Sequence, residues 1–187
     1  MVNSKHSYTV RKNTSFSNNL QKLIVRSPKI SDFKELRIMI NSLVDERAMV
    51  LTNRKVSDQE EKKWLKANLI DIKGHRLIDL VAEVDGKIVG NCELRYGYGR
   101  EKHVGYLAVI VMRGYRGLSI GSRLITKAIA YAKKYGIRLV LLDVFLLNKK
   151  AVKLYKKFGF REVGRVPQRV RYNNKYETSI IMAKSLY

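Results

Sequence analysis

The sequence predicts an α/β protein in which a mixed β-sheet carries helices on its faces. An unbroken apolar run at residues 106–112, rich in β-branched side chains, is typical of a strand in the middle of a sheet with both faces buried. A glycine-bearing turn and an amphipathic helix follow this run. Before it, the dipeptide Asp85-Gly86 separates two strand-like runs and predicts an antiparallel hairpin. A strand–helix–strand connection and a hairpin in one chain indicate a mixed sheet.

The remaining elements complete the order β-α-α-β-β-β-α-β-α-β-β. One helix begins at Asp32, and a second begins at the capping box formed by Ser57 and Glu60. The second helix is expected to bury Trp64 and Leu65. Strands are predicted at 23–26, 77–84, 87–95, 106–112, 138–145, 160–166 and 176–183, and helices at 32–47, 58–70, 118–132 and 148–158.

Length and composition predict one domain, at residues 22–187, behind a flexible basic arm at residues 1–21. A chain of 187 residues can bury a core without disulfides. Its single cysteine, Cys92, lies in an apolar alternating run and is expected to be a small core residue. Neither a signal-peptide core nor an apolar run of about 20 residues is present. These features predict a soluble cytoplasmic protein that does not associate with membranes.

The chain is strongly basic, with 38 Lys and Arg residues and a net charge of +22. A field of this sign attracts polyanions, so nucleic acid, ribosomal RNA, an acidic protein or a phosphorylated cofactor becomes a favoured partner. A solvated surface adapted to heat, or a basic bias of the whole proteome, explains the charge equally well.

The turn at residues 113–122 predicts a phosphate site. It joins the central strand to a helix and contains glycines and arginines, so backbone N–H groups, the positive end of a helix dipole and guanidinium groups converge there. The chain lacks the glycine–lysine pattern of a P-loop. The pair Gly97 and Gly99 lacks the third glycine of a dinucleotide-binding fingerprint.

Two segments together resemble the GNAT superfamily of N-acetyltransferases. The first resembles its pyrophosphate turn, [RQ]-x-x-G-x-[GA], which Arg116 and Gly121 fit while Ser119 stands where the first glycine is usual. The second, at residues 148–160, resembles a later signature, and the resemblance spans residues 23–184. It implies a centrally splayed sheet, acetyl-CoA (coenzyme A) as cofactor, and a pyrophosphate held by Arg116, Gly117, Leu118, Ser119, Ile120, Gly121 and Ser122.

The spacing of Asn148 and Tyr155 brings an amide and a phenol to one face of a helix, two turns apart. The resemblance implies that Asn148 contacts the pantetheine arm and that Tyr155 is the general acid that protonates the leaving thiolate. A phenol with a pKa near 10 stays protonated at neutral pH and suits this role. The resemblance also assigns cofactor binding to the central strand at Val109, Ile110 and Val111, where the backbone groups of Val109 and Val111 would pair with pantetheine.

The general base is left open among three residues. Many members of the superfamily use a carboxylate in the first half of the central strand, where this chain has Gly105 and Tyr106. His103, Glu101 and Glu93 are the nearby candidates, and a water chain is a further alternative. No spacing of His, Asp or Glu suggests a metal site.

These observations predict an N-acetyltransferase that moves an acetyl group from acetyl-CoA to a primary amine by direct transfer in a ternary complex. The acceptor is expected to be a protein N-terminus or lysine, with a small-molecule amine such as an amino acid or antibiotic as the alternative. A degenerate fold that binds nucleic acid is the alternative of another class. The basic surface also predicts nucleic-acid or ribosome association. The oligomeric state, monomer or homodimer, is left open.

Overall fold

A computed structural model describes residues 23–187 of the chain. This range forms seven strands and four α-helices in the predicted order. The predicted basic arm at 1–21 lies outside the described residues. The strands are β1 Ile24–Arg26, β2 Leu77–Val84, β3 Lys87–Tyr96, β4 Val104–Val111, β5 Leu139–Phe145, β6 Arg161–Tyr172 and β7 Lys175–Ser185, and the helices are α1 Phe33–Asp45, α2 Asp58–Lys73, α3 Ile120–Lys134 and α4 Lys149–Lys157.

The strands form one mixed sheet in the order β1-β2-β3-β4-β5-β7-β6. Every neighbouring pair is antiparallel except β4 and β5, which are parallel. These two strands pair only from Val104 to Tyr106 on one side and from Leu139 to Leu141 on the other. Beyond that point they separate, and the predicted central splay is confirmed.

Apolar side chains on the two faces of the sheet pack against different helices. On β2, Ile78 and Leu80 belong to the larger core, which includes α3 and Tyr155 of α4, whereas Val81 packs with the inner residues of α1 and α2. This alternation along one strand separates the two faces. Cys92 lies in the larger core with no exposed surface, as predicted. No helix within residues 23–187 has the length and apolarity needed to cross a membrane.

Two local predictions are wrong. Strand β4 is not buried on both faces: Tyr106 is 41% exposed, and Ala108 on the same face is also exposed, where the strand lines a cleft. Trp64 is 37% exposed, while Leu65 beside it is fully buried. The helix predicted to begin at Asp32 does begin there, with Asp32 as the N-cap residue of α1; the carboxylate of Asp32 accepts bonds from the backbone N–H of Lys29 and from Arg26.

Candidate active site

A cleft of about 1620 Å³ lies where β4 and β5 separate. Its walls come from the segment between α1 and α2, from β3 and β4, from the turn before α3, and from β5, α4 and β6. A site for one drug-sized ligand has a volume of roughly 300–1,000 Å³. The cleft therefore has room for a cofactor and an acceptor at the same time.

One edge of β4 is open along this cleft. The N–H of Met112 donates to the carbonyl of Val89 at 2.9 Å, so Met112 and every second residue before it bond to β3. The backbone groups of Leu107, Val109 and Val111 therefore point to the opposite edge, which β5 has left. The prediction that Val109 and Val111 offer backbone groups to an extended ligand is consistent with this register.

Ile110 differs from its two neighbours. It pairs with Asn91 of β3, and its backbone groups are directed toward that strand. Its side chain lines the cleft and packs against the core formed by α1 and α2. Any contact of Ile110 with a ligand in the cleft would therefore come from its side chain, because the alternation of a strand turns the backbone groups of only every second residue to the open edge.

The turn before α3 presents free backbone donors to the cleft. The first backbone bond of the helix runs from the N–H of Arg123 to the carbonyl of Ser119 at 3.0 Å. Ile120, Gly121 and Ser122 are the first three residues of the helix, and their backbone N–H groups have no acceptor within it. All three residues line the cleft. They form the anion site expected of a helix N-terminus.

Positive φ angles mark this turn at Gly117 (81°) and at Ser119 (61°). A left-handed conformation is easy for glycine and costs roughly 1–2 kcal/mol for a residue with a Cβ atom. Ser119 occupies the N-cap position, but its side chain makes no capping bond. The strain expected from serine at this position is therefore present.

Arg116 and Leu118 do not point where the phosphate prediction needs them. The Nε atom of Arg116 donates to the carbonyl of Val111 at 2.8 Å, and its guanidinium group also pairs with Glu46 at the end of α1. Leu118 is absent from the cleft lining, because its side chain packs against the larger core. In the described conformation, the groups at this turn that are free to meet a phosphate are its backbone N–H groups and the positive end of the α3 dipole.

Asn148 and Tyr155 both line the cleft from α4, as their spacing predicts. The Oδ1 atom of Asn148 accepts from the N–H of Ala151 at 3.2 Å and caps the helix, as the sequence predicts. Tyr155 is 6% exposed, and its ring packs edge-to-face on Phe160. Burial raises the pKa of the Tyr155 phenol above its usual value. The phenol is therefore protonated at neutral pH.

Of the three candidate bases, only Glu93 lies in the cleft. It belongs to β3 and stands opposite Ala108 of β4 on one side and Asp79 of β2 on the other. Burial, and next the carboxylate of Asp79, raise the pKa of Glu93 to about 7, against a smaller lowering effect of Arg95. A base with this pKa is half ionised near neutrality, the range in which general bases work best.

His103 and Glu101 are outside the cleft lining. His103 precedes β4, and its carbonyl accepts from the N–H groups of Arg138 and Leu139 in the loop that leads to β5. The carboxylate of Glu101 accepts a 2.8 Å bond from the hydroxyl of Tyr106 on the protein surface. Neither residue reaches the cleft, because the turn between β3 and β4 carries them away from it.

The sequence prediction missed a set of buried polar residues beside Glu93. Asp79 accepts from Asn68 at 3.1 Å and from Asn91 at 2.6 Å, and burial raises its pKa to about 6. Glu61 of α2 lies close enough to Asp79 for the two charges to interact. A signal was present, because Glu61 and Asn68 share the helical face of Leu65 through i, i+4 and i+7 spacing.

The residues present in the cleft fit acetyl-CoA. Free N–H groups at the start of α3 suit a pyrophosphate, the open edge of β4 suits an extended amide-bearing arm, and Tyr155 lines the same cleft. A thioester carbonyl held along the strand would accept bonds from its outward N–H groups.

Comparison with known proteins agrees with this assignment. Residues 41–160 match the model of the Acetyltransferase (GNAT) family. The chain is 30% identical over 140 residues to an N-alpha-acetyltransferase of Sulfurisphaera tokodaii, a match that covers 70% of this chain and 83% of that protein. It is 43% identical over 86 residues to an uncharacterized N-acetyltransferase of Methanocaldococcus jannaschii, covering 44% of this chain and only 38% of that relative.

The fold is also similar to solved structures. A Salmonella typhimurium protein whose structure was determined with its cofactor acetyl-CoA superimposes with a TM-score of 0.78 and 18% identity, over 89% of this chain and 95% of that one. The predicted fold, cofactor and enzyme class are confirmed by the family match and by these relatives. The chain belongs to the GNAT family of acetyltransferases and is an acyltransferase that uses acetyl-CoA.

Proposed function

We propose that this enzyme acetylates the α-amine of a protein or peptide by direct transfer in a ternary complex, with Glu93 as general base and Tyr155 as general acid. The observation that carries the proposal is that Glu93, Tyr155 and the open edge of β4 line one cleft large enough for two substrates. At neutral pH the Tyr155 phenol is protonated, as a general acid must be, and the pKa of Glu93, about 7, leaves about half of that carboxylate ionised.

Each residue has a separate part in this reaction. Acetyl-CoA supplies a thioester carbonyl as the electrophile. Glu93 removes the proton from the acceptor ammonium, so that its nitrogen has a lone pair for the attack. The outward N–H groups of Leu107 or Val109 donate to the carbonyl oxygen as it gains negative charge. The Tyr155 hydroxyl holds a proton for the sulfur that departs.

The mouth of the cleft favours a peptide acceptor. The Tyr172 hydroxyl on β6 donates to the carbonyl of Arg47 at 2.9 Å and joins the β6–β7 hairpin to the segment after α1 above the cleft. A covered site suits the end of a chain better than a side chain in mid-sequence. Next to it, Leu51 is 77% exposed and Trp64 is 37% exposed, and both line the cleft. Exposed apolar side chains at a cleft commonly contact a partner, here the residues after the acceptor amine.

The Sulfurisphaera relative, an N-alpha-acetyltransferase by name, supports the same acceptor class. Other relatives are named for phosphinothricin and for L-amino acids, which keeps a small-molecule amine as the alternative. A peptide panel separates these acceptors. We expect pentapeptides with a free α-amine to be acetylated at the N-terminus by mass spectrometry, and the same peptides with a blocked N-terminus and an internal lysine to react far more slowly. Preferential acetylation of free amino acids would contradict the peptide assignment.

The Tyr155→Phe variant tests the general acid. We expect its turnover to fall on the order of 10²–10⁴-fold, the range for removal of a general acid, with little change in the acetyl-CoA dissociation constant. Release of free thiol measures turnover, and calorimetry measures cofactor binding. Tyr131→Phe on α3, outside the cleft lining, is the matched control and is expected to keep wild-type turnover. Unchanged turnover in Tyr155→Phe would remove the phenol from the mechanism.

A basic surface on α4 supports association with a polyanion such as ribosomal RNA. Five lysines occupy this nine-residue helix without any acidic residue. All five are exposed, and none forms an ion pair with another residue of the described range, 23–187. The residues of this surface, the α4 lysine face, are Lys149, Lys150, Lys153, Lys156 and Lys157. Unpaired lysines on one element are the electrostatic footprint of phosphate contacts.

Salt-dependent binding to a single-stranded RNA oligomer tests this association. Removing one lysine that binds a phosphate should reduce the slope of log affinity against log salt by roughly 0.7. We expect Lys153→Glu with Lys157→Glu to weaken binding strongly, and Lys63→Glu with Lys66→Glu on α2, a change of equal charge, to have a much smaller effect. Equal weakening in both pairs would indicate attraction by net charge alone.

A cytoplasmic location is supported by the cysteine content. The one cysteine, Cys92, is a buried free thiol, so the enzyme needs no oxidising compartment to form disulfides.

A further inference from the structure

The inward face of α2 is more polar than a core face normally is. Its three buried residues are Glu61, Leu65 and Asn68. Leu65 packs with apolar residues of α1 and of the sheet. Both polar atoms of the Asn68 side chain have hydrogen-bond partners: the Nδ2 atom donates to Asp79 at 3.1 Å, and the Oδ1 atom accepts from Arg95 at 3.0 Å. Glu61 is the member of this face whose role the packing does not explain.

Glu61 is a buried carboxylate that lacks a partner. It is 7% exposed, and within residues 23–187 no side chain or backbone group forms a hydrogen bond or ion pair with its carboxylate. It lines the cleft. A carboxylate in such a place takes up a proton or meets a water, an ion or a ligand. Because Glu61 lines the cleft, a group bound in the cleft can be its partner.

The charged groups around Glu61 favour a cation as its partner. Asp79 and Glu93 are the nearby carboxylates on the sheet, and burial together with Asp79 raises the pKa of Glu61 to about 7. The positive charge in this region, Arg95, is already engaged by Asp71 at 2.7 Å and approaches Glu93 at 3.4 Å. A positively charged group that enters the cleft would find Glu61 available to it.

We propose that Glu61 binds the ammonium group of the acceptor and selects acceptors that are positively charged at the reacting amine. The inference rests on the proposed function and adds the residue that recognises the amine before its proton is removed. An ammonium group has three N–H donors, so a bond to Glu61 leaves two donors for other acceptors in the cleft. Glu93 is nearer to the reaction because it stands opposite Ala108 on the strand with the open edge, whereas Glu61 reaches the cleft from the helix above.

The test separates acceptor binding from turnover in Glu61→Gln. The probe is the pentapeptide that the wild type acetylates fastest from a library with a free α-amine and two randomised first positions. We expect the KM for this peptide to rise about 10- to 100-fold, the effect of removing one hydrogen bond to a charged group, while kcat changes only a few-fold. In the wild type this KM should fall as pH rises through 7 and Glu61 ionises; in the variant that dependence should disappear.

Two further variants complete the design. Asp58→Asn removes the same charge from the same first turn of α2, but Asp58 pairs with Arg37 outside the cleft lining, so its KM should equal that of the wild type. Glu61→Asp keeps the charge and should recover part of the affinity. Calorimetric titration of the peptide into enzyme saturated with CoA measures binding without turnover. Equal affinity in wild type and Glu61→Gln would overturn this inference alone; a wild type that neither binds nor acetylates any library member or simple alkylamine would overturn the proposed function with it.

Discussion

Replacing Glu93 by glutamine gives the sharpest test of how the acceptor loses its proton. Glutamine has nearly the same shape but cannot take a proton at any relevant pH. Burial and the neighbouring Asp79 raise the pKa of Glu93 to about 7 from an ordinary value of 4.5. With that pKa, about half of the enzyme has an ionised base at pH 7 and only about a tenth at pH 6. A bound ammonium group lowers this pKa, so in the saturated enzyme turnover should level off near neutral pH and fall about tenfold for each pH unit once the pH drops below the lowered pKa.

The assay is free-thiol release at saturating acetyl-CoA and saturating peptide between pH 5.5 and pH 9. Because Glu61 titrates in the same range, kcat is the informative quantity: at saturation it no longer reports acceptor binding. Glu93→Gln should lower kcat by roughly 10²–10⁴-fold at pH 8, the usual contribution of a general base, and the acidic limb of the profile should disappear.

Two companion variants make the result interpretable. Asp79→Asn removes the charge that helps to raise the pKa of Glu93, so the acidic limb should move to lower pH. Glu101→Gln changes the candidate base that bonds to Tyr106 outside the cleft lining and should leave the profile as it is. If Glu93→Gln kept both kcat and the limb, or if Glu101→Gln abolished them, the assignment of the base would be refuted.

Three other variants follow from the same geometry. Ser119→Gly should stabilise the protein by about 0.5–1 kcal/mol in thermal unfolding, because glycine adopts a φ of 61° without the strain that serine has there. Ser122→Gly should destabilise the protein by a similar amount, because it places glycine inside α3. Glu61→Gln should raise the melting temperature at pH 8 and not at pH 4: its raised pKa means that ionisation costs stability as pH rises from about 4.5 through 7. Glu46→Gln should release Arg116 and tighten acetyl-CoA binding by up to about fivefold in calorimetry, the scale of one surface ion pair.

The cofactor half of the site could be predicted because its signals are local. Asn148 and Tyr155 share a helical face through their spacing alone, and both line the cleft. The turn before α3 follows a strand and opens a helix, an order that fixes where its N–H groups point. Arg116 is the exception. Its guanidinium group contacts Glu46, which is far away in sequence and could not be identified as a partner from the pattern.

Helix α2 shows why part of the acceptor half was missed. The sequence prediction assigned the most apolar side chains of this helix to its buried face, and it therefore placed Trp64 in the core. In the structure Trp64 is exposed at the cleft, while Glu61 and Asn68 are buried on either side of Leu65. Hydrophobic periodicity cannot identify such a face, because a functional cleft reverses the usual rule that polar residues point outward.

The choice among the candidate bases depends on contacts that no local pattern contains. Glu93, Glu101 and His103 lie within one short stretch and looked equivalent in the sequence. What separates them is the pairing of β2 with β3, which sets Asp79 beside Glu93, and the path of the turn, which carries the other two away. The phosphate turn and the phenol each belong to one short stretch of sequence. The wall proposed to meet the acceptor is assembled from α2, β2 and β3 by long-range pairing. Identifying the acceptor therefore requires the wall that contains Glu61 and Glu93 and cannot come from the motifs alone.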